Sequence, residues 1–374
     1  MKNPKLLDLY TDYLLSSFVL VTAVGLSKLV DNGYSHDQIS RFLGQKKLLP
    51  KDFWRSVKPF IRMVEGEGAI LVIDDTLEEK PHTTENDIVC WHWDHSKQRN
   101  IKGIKLTNFL YASKTGDGQE IEIPLAYEII EKTEQYYDKK TDKVKRRSEV
   151  GQNEIVRERL RTIVQNNKVK FRYVTWDNWY SSKENLMFVH HKLERHFVVS
   201  LKENRLVALS EEEKRQGKFR QISELDYMVN VPLTVWLKGL DFPVKIVRRI
   251  FTNQDDSKGE QYLITDDLEL TYDQICAIYQ KRWKVEVFHK SLKQNASLAK
   301  SPTKNETSQS NHIFASMLAF CKLELLKLHK HMNHFQLKSR LYIHAVKAAF
   351  KELQCLKQSN EELTLALEAK ASVS

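Results

Sequence analysis

The chain has 374 residues, 41% of them apolar and 29% charged, with 12 glycines and 8 prolines. That composition excludes collagen-like, low-complexity and disulfide-stapled classes and leaves a globular protein of two to three domains. The formal net charge of +10 points to a polyanionic partner, nucleic acid first, with no membrane role, because no run approaches the ~20 apolar residues of a membrane helix.

Residues 1–66 read as helical: "LLDLYTDYLLSSFVLVTAVGLSKLV" carries apolar residues at helical spacing without strand-like alternation. Ser35 is placed to cap a short helix running to Phe42, with Gly44 as its stop, so the "DNGYS" stretch offers either a DNA-reading helix-turn-helix or an ordinary bundle. The start "MKNPKLLDLY" lacks a secretory pattern. Cys90, Cys276, Cys321 and Cys355 form no CxxC pair, which fits a reducing cytosol.

From residue 69 the period changes. "AILVIDD" is a short apolar run closed by acids, the pattern of a buried strand. "IKLTNFLYASKTG" and "QEIEIPLAYEII" read as two further strands joined at "KTGDG", and "DKKTDKVKRRSE" as a charged loop. An amphipathic helix ("NEIVRERLRTIVQNN"), a strand ending in an acid ("VKFRYVTWDNWY"), a helix capped by Ser181 or Ser182 and the strand "HFVVSLK" follow. This order implies an α/β fold with a mixed sheet flanked by helices. A β-rich stretch spans about 203–265. Long helices then return: one from 271 to 294, one from 310 to 332 and one from about 337 to 357, with a fraying end.

Asp75 closes one buried strand and Asp177 another, and strand ends are where α/β sheets build sites. Carboxylates at such positions need solvent, a partner or a cation, and two of them suit Mg²⁺, which takes oxygen ligands. Each Asp alone is better accounted for as the cap of a following turn or helix. The helix near 280, "YQKRWKVEVFHKSLK", adds a third acid. At 100° per residue, Arg282, Glu286 and Lys293 fall within about 60° of Tyr279, with Ile278, Val285, Phe288 and Leu292 on the neighbouring arc. A surface pair between Arg282 and Glu286 explains two of these residues and leaves Tyr279 and Lys293 over.

The Tyr279–Arg282–Glu286–Lys293 spacing resembles the signature of bacterial insertion-sequence DDE transposases of the IS-four type. "IDDT" resembles that family's first catalytic block and "VTWDNWY" its second, over roughly residues 69–330. The resemblance implies a ribonuclease H-like fold interrupted by a β-rich insertion before the glutamate. The divisions that follow are 1–66 (helical, DNA-binding), 67–202 (first part of the core), 203–265 (insertion), 266–335 (second part of the core) and 336–374 (helical C-terminus). It implies that Asp75, Asp177 and Glu286 hold two Mg²⁺ ions, with Mn²⁺ as a substitute, for in-line phosphoryl transfer. Asp74 is the rival to Asp75; the acid directly before the threonine favours Asp75. The resemblance also implies that Tyr279, Arg282 and Lys293 grip phosphates near the cut. Trp283 contacts the DNA end or packs, Tyr262 stacks a flipped base or serves its strand, and His289 and Lys290 face DNA or support structure.

The implied activity is DNA cleavage at terminal inverted repeats and joining of the 3′-hydroxyl to target DNA, by cut-and-paste with or without hairpin ends. A homodimer bridging the two ends and a cytoplasmic, nucleoid-associated location go with it. The rivals are a ribonuclease H-like nuclease without strand transfer, a non-catalytic DNA-binding derivative, and a helical scaffold for an acidic protein. "CWHWDH" offers Cys90, His92 and His95 to zinc, with no second pair at finger spacing.

Overall fold

A computed structural model describes residues 3–371 except 95–96, 227, 229 and 253–255, and side chains up to residue 358. Four helices open the chain: α1 (Pro4–Ser16), α2 (Ala23–Leu29), α3 (His36–Gly44) and α4 (Pro50–Val64). Ser35 caps α3 as its position suggests, accepting from the Gln38 amide while the Gln38 side chain accepts from Ser35 in return. Helix α4 has Pro50 in its first turn, where the missing N–H costs nothing. Its Phe53, Val57, Ile61 and Val64 recur every three or four residues and are all buried.

The first sheet strands are β1 (Ile70–Glu79), β2 (Cys90–Asp94), β3 (Arg99–Lys114) and β4 (Glu120–Ile129). The expected charged loop is instead a two-stranded hairpin, β5 (Glu134–Asp138) with β6 (Lys143–Arg147), whose turn is 139–142. Helix α5 (Gln152–Arg161) runs on into a π-helical turn at Thr162–Asn166. Strand β7 is only Tyr173–Thr175; α6 (Lys183–Met187), capped by Ser182, leads to β8 (His196–Leu201). Then come β9 (Leu206–Ala208), α7 (Glu211–Arg215), β10 (Arg220–Gln221), β11 (Leu233–Leu237), β12 (Val244–Thr252) and β13 (Lys258–Thr265). Four helices close the chain: α8 (Tyr272–Gln280), α9 (Trp283–Gln294), α10 (Glu306–Lys330) and α11 (His334–Ala371), the last far longer than its apolar spacing suggests.

Among the described residues eleven strands form one mixed sheet in the order β10-β9-β11-β12-β13-β8-β7-β1-β3-β2, with β4 also on β3. Strand β1 lies parallel to β7 and antiparallel to β3, and β7 lies parallel to β8. The parallel centre is buried, as such strands must be when helices cover both faces; Leu71, Val72 and Ile73 are wholly inaccessible. The β-rich stretch continues this sheet, because β13 pairs with β8 from Tyr262 opposite Leu201 to Thr265 opposite Val198.

Pairing fixes which residues share a face, since directly opposed side chains point the same way. Asp74 opposes Asn108, and Asn108 opposes Tyr127; the Tyr127 ring meets Phe53 of α4 edge-on at 5.2 Å. Helices α4, α9 and α10 therefore cover the Asp74 face. Asp75 opposes Thr107 on the other face, where α5 and the segment after β7 pack. Gly103 stands where β1, β2 and β3 meet: a Cβ there would lie 2.2 Å from the Glu78 carbonyl oxygen, so only glycine permits the approach.

Candidate active site

The long helix read across 271–294 is interrupted. The Lys281 and Arg282 amides bond to Ile278 and Tyr279, three residues back, and the Lys284 and Val285 amides do the same to Lys281 and Arg282. This tight turn separates α8 from α9. Val285, Phe288 and Leu292 anchor α9 in the core, Phe288 edge-on to Phe320 of α10 at 4.7 Å. The anchored face directs Arg282, Glu286 and Lys293 along β1.

Arg282 Nη1 lies 3.2 Å from Asp74 Oδ2 and 3.4 Å from Glu286 Oε1. Its side chain is 14% exposed, against 16% for Asp74 and 47% for Glu286, so Glu286 is the water-facing member of the group. Burial pushes the Asp74 carboxyl up to about 7, Arg282 and the Asp75 amide oppose the shift, and the charges of Asp177 and Glu286 add to it. Burial also raises Asp177, whose Oδ1 accepts from the Trp179 amide at 2.9 Å and whose neighbours include Arg282 and Asp75. Burial works against the Arg282 cation, but Tyr279, Asp74, Glu286 and Asp177 outweigh it and hold it above its ordinary value. Arg282 thus pairs with Asp74 and Glu286, and Asp177 lies within reach of its charge.

Asp75 turns away from that group. Its carboxylate accepts from Thr107 Oγ1 at 2.8 Å, from Gln152 Nε2 at 2.8 and 2.7 Å and from the Tyr180 hydroxyl, and pairs with Lys105 Nζ at 2.9 Å. Gln152 also accepts from Lys105 at 3.0 Å, closing the network. The two acids of "IDDT" therefore sit in different environments, one short of positive charge and one saturated with donors.

The remaining expected residues divide. Lys293 Nζ donates to the Leu77 carbonyl at 2.7 Å; burial lowers its pKa and nearby Glu78 opposes that. Tyr279 is 3% exposed, its ring 5.9 Å from the Arg282 guanidinium, and its hydroxyl accepts weakly from Gln261 at 3.4 Å. Trp283 is 60% exposed beside Arg282. Lys290 is exposed, with its ammonium 5.3 Å from the Phe335 ring centre. His289 is buried against Asn108 at 3.0 Å, and burial drives its pKa down to about 3, so it faces the core and not DNA. Tyr262 is 4% exposed and donates to Glu260 at 2.9 Å, which leaves no ring face for a flipped base. Cys90 and His92 are buried; His95 lies outside the described residues.

Sequence reasoning missed Trp179, 52% exposed and two residues past Asp177; its signal was its adjacency to a strand-ending acid. It also missed the Lys105–Gln152–Tyr180 network, whose members are scattered over three elements. Among the described residues no three His, Cys, Asp or Glu side chains converge closely enough to hold one ion as placed. The donor set still fits a hard divalent cation, being all carboxylate oxygens, two of them raised by burial. The buried Asn108 Oδ1, opposite Asp74 in register, also lacks a partner.

A family described as DDE superfamily endonuclease matches residues 4–224, more than half of the chain, and one described as transposase DDE domain matches residues 143–321. The first spans Asp74, Asp75 and Asp177; the second spans Asp177 and Glu286. No curated protein matches the chain. A mixed sheet with helices on both faces, acids from β1, from the end of β7 and from α9, and these two matches lead to one conclusion: the chain belongs to the DDE superfamily of transposase endonucleases.

Proposed function

We propose that this protein is a cut-and-paste DNA transposase of the IS-four type, which cleaves the terminal repeats of its element and joins the 3′ ends to target DNA. The observation that carries the reading is the pairing of Arg282 with both Asp74 of β1 and Glu286 of α9, with Asp177 from the end of β7 within reach of the same charge. Three carboxylates on separate elements, two of them half-buried, have no structural need of one another. They suit a site whose charge is completed by a divalent metal.

Asp177 and Glu286 fill the second and third acid positions. For the first, the resemblance names Asp75, but the arrangement supports Asp74, which shares the guanidinium with Glu286 while Asp75 is consumed by Lys105, Gln152, Thr107 and Tyr180. Mg²⁺ or Mn²⁺, when bound, supplies activation of the attacking oxygen and neutralisation of the leaving one. The chain's own residues do the rest. Arg282, which bridges two carboxylates, is the group placed to exchange one of them for a DNA phosphate. Lys293 adds a cation farther along β1, and Trp283 and Trp179 offer exposed indoles beside the acids. Helix α3, with Arg41 and Gln38 outward, is the candidate for reading the repeat sequence.

The test is cleavage and joining of a labelled duplex carrying the ends that flank the protein's own gene, with Mg²⁺ or Mn²⁺. Alanine at Asp74, Asp177 or Glu286 is expected to abolish joined product while binding persists. Cleavage without joining in the wild type would make the protein a nuclease on the same fold. Binding without cleavage under either metal would leave only a DNA-binding role.

A further inference from the structure

Strand β2 reads Cys-Trp-His-Trp-Asp, and its burial alternates: Cys90 and His92 are buried, whereas Trp91 and Trp93 are 53% and 50% exposed. Two half-exposed tryptophans on one short strand at the margin of a sheet are a large apolar display. The buried pair fixes the register, because a slip of one residue would expose Cys90 and His92 and bury both indoles.

Register also places the indoles with the acids. Asp74 opposes Asn108; steps of two along β3 carry the same face through Leu106 and Ile104 to Lys102 and Asn100. Lys102 opposes Trp91 and Asn100 opposes Trp93. Both tryptophans thus share the sheet face of Asp74, six and eight residues along β3, or roughly 20 and 26 Å at ~3.3 Å per residue. The interval carries both signs: Lys293 holds the Leu77 carbonyl on β1 with Glu78, Glu79, Asp94 and Lys97 around it, so the cation beside the indoles is Lys102 itself. Lys132 Nζ holds the Trp91 carbonyl at 2.6 Å from the outer side.

We infer that Trp91 and Trp93, with Lys102 beside them, form a stacking platform for the unpaired DNA strand that leads away from the cleaved bond; the inference rests on the transposase reading. Indole faces stack on any base, and lysine next to them neutralises the strand's phosphates. Bases inside a duplex stack on one another and cannot offer their faces to a flat sheet, so the chemistry selects single strand over duplex.

The test uses the full chain and two fluorescent probes: the blunt end duplex, and the same duplex with a single-stranded flank. Wild type is expected to bind the flanked probe more tightly. W91A/W93A is expected to lose about tenfold or more of that affinity and to bind the blunt probe within about twofold of wild type, with an unchanged melting temperature. W91F/W93F, which keeps a ring at each position, should restore most of the loss. The platform is overturned if the alanine pair binds both probes as wild type does, if it weakens both alike, or if phenylalanine fails to rescue. A wild type that binds the blunt end without preferring the flank sinks the platform alone; a wild type that binds neither probe sinks the transposase reading with it.

Discussion

On one face of β1, Asp75 receives donors from β3, α5 and the segment after β7, together with a lysine 2.9 Å away. On the other face, Asp74 shares a single guanidinium with Glu286 and lies within the fields of that carboxylate and of Asp177. The residues are adjacent, identical and closed into the same strand, yet one is a finished structural joint and the other an unfinished electrostatic arrangement. A buried carboxylate that is fully paired contributes to the fold. One held with too little positive charge costs stability and is retained for what it binds.

The widest separation should appear in catalysis. Asp74→Ala is expected to lower end cleavage by about 10³-fold, and Asp75→Asn by less than about tenfold. The opposite order, measured under single-turnover conditions, would reverse the assignment of the two faces. Next in size is the pH dependence of stability. Asp74 is raised from an ordinary value near 4 to about 7, so the folded state holds its proton more tightly than the unfolded state. Its stabilising contribution is complete below about pH 4 and lost as pH rises through about 7, on the order of 4 kcal/mol in all. Denaturant titrations at pH 5 and pH 8 should show roughly two-thirds of this fall in the wild type and a much shallower one in Asp74→Asn.

A smaller effect is expected on the back face. Asp75→Ala strands the Lys105 ammonium and the Gln152 amide in a partly buried site and should cost about 3 kcal/mol at neutral pH. Asp74→Ala should be neutral or stabilising in the same urea titration. Smallest is Tyr180→Phe, which removes one of several donors to Asp75 and should cost about 1 kcal/mol. A loss equal to that of Asp75→Ala would mean that the tyrosine, not the lysine, holds the joint.

Much of the frame was legible in the residues. The apolar run closed by "DD", the strands before and after "KTGDG", the Ser35 cap and the apolar stripe of α9 all follow from local periodicity and capping. The choice between Asp74 and Asp75 was not local. Alternation says only that the two acids face opposite ways; which way is decided by α9 and α5, contributed by distant sequence. The turn at 281–282 carries neither glycine nor proline, the usual marks of an interrupted helix. Tyr262 and His289 stay open between a DNA-facing and a structural place in the residues alone, because a strand or helix face can be assigned inward or outward only once its neighbours are known. The β5–β6 hairpin was hidden because lysine and arginine line both loops and solvated strands.

The pairing of β13 with β8 has a consequence for how the protein comes to be made. Until residues 258–265 emerge from the ribosome, the open side of β8 has no partner, and an unpaired apolar strand margin is a template for association with other chains. The acid group closes later still, since Arg282 and Glu286 follow β13 in the chain. Truncated products that end before α9 therefore lack Glu286 and cannot form its pair with Arg282. Within one growing chain, aggregation hazard comes first and the assembled acid cluster last.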